Sequence, residues 1–444
     1  MKNLKTHFTA VTQAAMESFD EGASVALDHT EAFSAQYERD EAADGRAISA
    51  AADAVEAGIN DVASLESLIA AIDESRDVGM EAGSAQFAKL QLSTLHDRYQ
   101  ITGTESSMPS LECFDGRQAR LATSVSLESA KETLNKIWEW IKEMGRKFVK
   151  MVRDAWHRLS KNIDVLLGDA DKLKKFVQRN KFEGGRTINI GGLARRLNVD
   201  GEVPRDCTSA LQKLSQITRV SEETVDRVHN EVTADFERKL MGGGSRLRRE
   251  VMIPAGWQKV DLGDRLSPQM RNVGAEVFCS PPLPGAVGLT ITTFRGDANT
   301  DKAEIRNWDG SSTTFTSKVG VFHMDLPAAP TAFETLSSQE IFTLCQRVQK
   351  AITALQSSRR VMEDHFKRID NSIAQLQRKQ RELPEDANVP APARLSAWFF
   401  KNNTVFGSDL LRAVESQTYG VLRGFLHLGE LCVPNELREQ MAKA

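Results

Sequence analysis

The sequence predicts a mainly α-helical α+β fold, with long helices in a coiled-coil-like stalk, a small inserted β-rich domain and an acidic helical N-terminal leader. Three observations predict this fold. Apolar residues recur at helical spacing across 129–161 and again across 337–383. Between about 251 and 330 they alternate with polar residues, as they do in half-buried strands. The first 128 residues hold 22 acidic and 9 basic side chains, a net charge of −13, whereas the remaining 316 carry +9.

Composition excludes several protein classes. Of the 444 residues, 41% are apolar, which is enough for a buried core, and no apolar run approaches the 18 residues of a membrane span. The N-terminus carries no secretory signal, so we expect synthesis in a cytoplasm. The cysteines are odd in number and far apart, which argues against a disulfide framework or a zinc site. We expect them to be reduced and mostly buried: Cys113, Cys207, Cys279, Cys345 and Cys432.

The leader, residues 1–128, is rich in alanine, serine and acids, and this composition predicts weakly packed helices. Its last part, 101–126, contains Gly, Pro and many Ser residues and is typical of a linker. A basic helical region, 129–240, follows. Ser129 and Glu132 match a capping box, in which each side chain bonds the other's backbone N–H, so we predict that a helix begins at Ser129.

This helix is basic and amphipathic. Leu134, Ile137, Ile141, Met144, Phe148 and Met151 follow the alternating three-and-four spacing of a coiled-coil seam. Five basic residues are candidates for contact with DNA or a protein partner: Lys142, Arg146, Lys147, Lys150 and Arg153. The pattern favours a packed or coiled-coil helix and leaves two alternatives open, contact with nucleic acid and binding at a membrane surface.

Three further regions complete the chain: a β-rich domain at 241–334, a long helix at 335–383 and a C-terminal helical segment at 384–444. A second capping box, Ser337 with Glu340, opens the long helix. The helices before and after the β-rich domain could pair antiparallel as a stalk that carries the domain at its tip.

Sequence signatures of catalysis are missing, so we expect no catalytic, cofactor or metal site. His365 on the long helix is interpreted as a tolerated residue at the edge of the seam. The alternative is an enzyme acting on cell wall or nucleic acid through the β-rich domain, with Asp297, Asp301 and Glu304 as candidate acids.

The leader also contains a repeated short pattern, a small residue, any residue, then glutamate. Seven segments fit it: Ala15–Glu17, Ala54–Glu56, Ser64–Glu66, Gly79–Glu81, Gly103–Glu105, Ser110–Glu112 and Ser126–Glu128. Six of them have Met, Val or Leu in the middle, and the last coincides with the change in charge. An acidic leader with these sites, joined to a basic helix, resembles the internal head (inner body) virion proteins of giant tailed bacteriophages.

That resemblance implies an acidic propeptide, removed inside the prohead by a phage maturation protease that cuts after glutamate. The expected processing site is Ser126, Leu127, Glu128 and Ser129, with the cut between Glu128 and Ser129. Before cleavage, the acidic leader would keep a basic protein away from nucleic acid.

The implied function is a structural protein packaged inside the capsid and ejected with the genome. Its expected partners are the protease, other virion proteins, DNA bound without sequence preference, and further copies of itself. An uncut phage protein that binds a partner in the host cytoplasm is the remaining alternative.

Overall fold

The computed structural model describes residues 29–101, 108–114, 118–240, 247–260, 276–295, 315–324, 326–382 and 399–442. Its helices are α1 His29–Glu74, α2 Ala82–Tyr99, α3 Ala119–Arg179, α4 Gly192–Arg196, α5 Thr208–Leu240, α6 Ser338–Glu382, α7 Phe406–Cys432 and α8 Asn435–Ala442. There are 3-10 turns at Leu111–Phe114 and Arg249–Met252 and a π-helical segment at Phe400–Val405. The predicted fold class, mainly α with a small β component, is confirmed.

The strands form two antiparallel sheets. Strand β1 (Thr187–Asn189) pairs with β6 (Ala332–Glu334). The second sheet has the order β2 (Gln258–Val260), β3 (Glu276–Cys279), β4 (Val287–Arg295) and β5 (Phe315–His323). On β4, Leu289 and Ile291 are fully buried in the same core as the helices, as expected from their period of two. The candidate acids Asp297, Asp301 and Glu304 lie outside the described residues.

Helix α3 is the axis of the molecule. Its N-terminal half is covered by α1, which runs antiparallel to it: Asp44 meets Arg158, and Gly58 meets Trp140. The leader and α3 share one apolar core, which includes Val62, Leu92 and Ile137. Residues 48–101 of the leader therefore form an integral packed layer, and for them the expectation of weak packing is wrong.

The C-terminal half of α3 packs in a second, larger core with α5, α6 and α7. Helix α6 runs antiparallel to α3, since Lys174 bonds Gln349 while Arg153 lies near Asp370. Helix α7 closes this layer, with Gly429 packed against Leu173.

The expected antiparallel stalk of α5 and α6 is wrong, because these helices run parallel. Arg347 near the start of α6 donates a hydrogen bond to Thr208 at the start of α5, and Arg368 pairs with Asp226 at 2.6 Å further along both helices. The path of the chain after the second sheet explains this parallel direction. Pairing of β6 with β1 brings the start of α6 back to where α5 starts, and Arg205 bonds both Glu334 and Glu340 there.

The predicted helix start at Ser129 is also wrong, because α3 begins ten residues earlier, at Ala119. Half of the intervening residues are Ala, Ser or Thr, and most of these are buried against the leader. Thr123 and Ser126 donate their hydroxyl hydrogens to the carbonyls of Ala119 and Ala122, so burial leaves these groups satisfied.

The second capping box is confirmed. The Ser337 backbone N–H donates to Glu340 Oε2 at 2.7 Å, and the Glu340 N–H donates to Ser337 Oγ at 3.3 Å. This box satisfies two backbone N–H groups at the N-terminus of α6 that have no partner within the helix.

Attachment of the leader depends on a close approach at Gly58. A Cβ there would lie 2.8 Å from the Trp140 ring, so Gly58→Ala should cost roughly 1–3 kcal/mol by overpacking. The matched control is Gly83→Ala on α2, where a Cβ meets nothing within 4 Å. Denaturant unfolding and limited proteolysis of the leader should show a loss for Gly58→Ala alone. Equal stability of the two variants would contradict this packing.

Candidate processing and binding surface on helix α3

The predicted processing residues lie within α3, beneath the leader. Ser126, Leu127 and Ser129 are at most 5% exposed, and only Glu128 is exposed to solvent. The Ser129 carbonyl accepts a hydrogen bond from Thr133 Oγ1 at 2.9 Å, as part of the helix. A protease that requires an extended substrate would have to unwind this part of α3 and uncover its apolar side.

Leader contacts hold the helix on both sides of the predicted cut. The Met80 backbone N–H donates to Thr123 Oγ1, and His96 Nε2 hydrogen-bonds Thr133 Oγ1, each at 2.8 Å. Burial, with a smaller contribution from Lys136, lowers the pKa of His96 and favours its neutral form. The predicted bond thus lies between two polar contacts with the leader.

The other small-x-glutamate segments differ in accessibility. Val55, Leu65 and Met80, the middle residues of three of them, are at most 4% exposed. The segment Ser110–Glu112 is exposed at all three positions and lies in the 3-10 turn that precedes α3. Residues 15–17 and 103–105 lie outside the described part of the chain. Of the segments that the structure describes, Ser110–Glu112 is therefore the most accessible to a protease.

Three of the five basic candidate residues have acidic partners. Lys142 pairs with Glu139 and Lys147 with Glu143, the latter at 2.8 Å along one turn of the helix. Arg153 lies 3.8 Å from Asp370 of α6 and stacks over the ring of Phe366 on the same helix. These pairs are exposed and contribute little to stability, but they reduce the local positive charge.

Arg146 and Lys150 remain. Both are exposed, and within the described ranges neither forms an ion pair. They lie four residues apart and so share one side of α3. Asp44 of the leader pairs with a different basic residue of α3, Arg158, which donates two hydrogen bonds of 2.6 and 3.0 Å to its carboxylate. Sequence reasoning did not single out Arg158, because nothing local links residues 114 positions apart.

A family model of phiKZ-like phage internal head proteins matches residues 11–391, nearly the whole chain. The chain belongs to this family. Comparisons with curated proteins and with solved structures found no match. Membership makes it a structural protein of the phage head interior, in agreement with the resemblance noted from the leader.

Neither a metal centre nor a membrane span is found in the part of this phage head protein that the structure describes. No three metal-ligating side chains come together among those residues. No described helix combines the length and apolar character needed to cross a bilayer. All five cysteines are free and four of them are buried, as expected, and burial raises the pKa of the Cys207 thiol to about 11.

The main core contains a buried histidine, His365, whose burial the sequence analysis did not predict. His365 is fully buried, so its interpretation as a seam-edge residue is wrong. It lies where α5, α6 and the start of α7 meet, and a Cβ on Gly407 would fall 2.7 Å from its Nε2. Neither ring nitrogen has a hydrogen-bond partner among the described residues. Its neighbour His229, 6.5 Å away between ring centroids, hydrogen-bonds Asn403 at 3.0 Å.

This environment favours the neutral ring. Burial lowers the pKa of His365 to about 3, and the nearby His229 and Arg368 act in the same direction. The unfolded chain takes up the proton below about pH 6.5, well before the folded protein does. Protonation therefore favours the unfolded state, and stability should fall as the pH drops from about 6.5 towards 3.

His365→Leu removes this titration and keeps a similar volume. We expect its unfolding free energy to fall less than that of the wild type between pH 6.5 and 4, as measured by urea unfolding at several pH values. The control is His157→Gln, which removes an exposed histidine from α3 and should leave the wild-type pH dependence. The same pH dependence in His365→Leu as in the wild type would refute this role of His365.

Proposed function

We propose that this internal head protein is made in the host cytoplasm as a precursor whose acidic leader covers α3 until a prohead protease removes it. The released body then lies in the capsid interior, in contact with other virion proteins and DNA. The observation that carries the proposal is the exposed Ser110–Glu112 turn. It joins a leader of opposite charge, which packs on α3, to the helix that the leader covers.

The burial pattern supports an order of two cuts. The first follows Glu112, because this segment is already exposed. The leader is then held by non-covalent contacts alone, and its departure uncovers Leu127 and Ser129. The second cut, between Glu128 and Ser129, follows because residues 119–128 lose the layer against which they pack.

Glutamine variants test this order during infection. Glu128→Gln should give virion protein that begins at Cys113, since the first site is intact and the second is blocked. Glu112→Gln should slow both cuts and leave the precursor to accumulate. The readout is mass spectrometry of N-terminal peptides from purified virions, and full and emptied particles compared in the same way report whether the protein leaves with the genome.

Two results would contradict this proposal. Virion protein that begins at Met1 or Lys2 would exclude leader removal altogether. A Glu112→Gln protein processed at Ser129 at the wild-type rate would exclude the proposed order while leaving removal itself intact.

The body is proposed to bind DNA weakly and without sequence preference, through phosphate contacts of Arg146 and Lys150. These side chains are exposed on one side of α3, and the body carries a net charge of +9. The precursor should bind less tightly, because the leader's −13 repels phosphate at a distance.

Replacing both Arg146 and Lys150 with Ala should weaken DNA binding by the processed protein. The salt dependence, log K against log salt concentration, should become shallower by about one unit per lost contact. Lys147→Ala is the control, because Glu143 already neutralises that lysine. Fluorescence anisotropy of a labelled duplex at several salt concentrations provides the measurement. An equal effect of the double variant and the control would refute the assignment.

A further inference from the structure

The leader covers an apolar stripe of α3, and the core shared with the body begins only at the C-terminal end of this stripe, near Phe148. Ile137, Ile141 and Phe148 are at most 6% exposed, and each belongs to a core that contains leader residues. The side chain of Trp140 packs on Gly58 and, edge to face, on Tyr99 with ring centroids 4.8 Å apart. Departure of the leader would expose this stripe, and an apolar surface of that length favours a new partner.

The stripe is complementary to itself in the antiparallel direction. With a two-fold axis between Lys142 and Glu143, Ile141 of one copy lies level with Met144 of the other. The next layers pair Ile137 with Phe148, and Thr133 with Val152. Every layer in this register joins side chains that can pack together, so one helix face can serve both copies.

The flanks of the stripe fit the same register. Trp138 and Gly145 are seven residues apart and therefore lie on the same side of the stripe. Antiparallel pairing places Trp138 of each copy beside Gly145 of the other, and no atom lies within 4 Å of where a Cβ on Gly145 would be. On the opposite flank, Trp140 comes beside Lys147, a pairing that a cation–π contact can stabilise.

Arg146 and Lys150 remain outside such a pair. Both lie on the side of α3 turned away from the stripe, and both are exposed. Pairing would thus bury the apolar side and leave these charges available. A second copy fits the stripe better than DNA does, because two tryptophans and the layers of Ile, Met and Phe offer nothing to phosphate.

We propose that release of the leader allows residues 130–152 of α3 to pair antiparallel with the same segment of a second copy. The leader then acts as an intramolecular cap that keeps the precursor monomeric. This inference rests on the proposed removal of the leader, and it names the partner that takes the leader's place.

The test uses the full chain with an affinity tag at the N-terminus and the recognition sequence of a specific protease inserted within 102–107. The uncut protein should have the mass of a monomer in light scattering coupled to gel filtration. After cutting and capture of the tagged leader, the released body should have twice the mass of a single body, as expected for a dimer. A body that stays monomeric, or a leader that remains bound at one copy per body, would overturn the proposal.

A matched pair of variants locates the interface. Gly145→Leu should fold normally in the precursor, where the site is open, and should prevent dimerisation by colliding with Trp138 of the other copy. Gly168→Leu lies on the same helix outside the segment, also in open space, and should still dimerise. Circular dichroism of the uncut variants checks folding. Dimers formed equally by both would show that this register is wrong.

The two proposals can fail separately. The engineered cut does not depend on the phage protease, so a monomeric product overturns the pairing alone. Virion protein that retains its leader would overturn processing, whatever the light scattering shows.

Discussion

The structure depends on covering one apolar stripe along α3. The helix has 61 residues and is therefore about 90 Å long, and an amphipathic helix of this kind is stable only when its apolar side is buried. Two separate layers do this. The leader helices α1 and α2 cover the N-terminal half, while α6 and α7 cover the rest, with α5 packed behind them. The two cores meet near Phe148, which packs with Ile48 and Ala51 of the leader as well as with the body.

This arrangement shows that the acidic leader binds α3 by packing as well as influencing it by charge. A leader acting through charge alone would lie against the basic side chains of α3. Asp44 does pair with Arg158, but the interface between leader and helix is mostly apolar. Its charge acts over distance, whereas its packing acts by direct contact. The proposed processing and the exposure of α3 would therefore involve the same residues, since Leu127 and Ser129 belong to the buried layer.

The main core carries a polar junction that packing alone does not require. His229, His365 and Asn403 lie where α5, α6 and the π-helical segment before α7 converge, and burial of partly unsatisfied groups costs stability. The parallel course of α5 and α6 creates this junction, because it brings the middle of both helices to the same level. A π-helical turn shifts the facing side chains by one position relative to a regular helix, and here it holds Asn403 towards His229.

The sequence by itself determined the fold class, the capping box at Ser337, the apolar stripe of α3 and the imbalance of charge, because each is encoded by residues close together in the chain. The resemblance to internal head proteins came from the leader features, and the family model over residues 11–391 showed membership. Only the tertiary structure decided that α3 starts at Ala119, since a run of small residues becomes a buried helix face only when a leader helix packs on it. It also decided the direction of α6, the burial of His365 and which of the small-x-glutamate segments is exposed. These depend on contacts between residues that are far apart in the chain, 43 positions for Met80 and Thr123 and 139 for Thr208 and Arg347. No local pattern records which distant segments will meet.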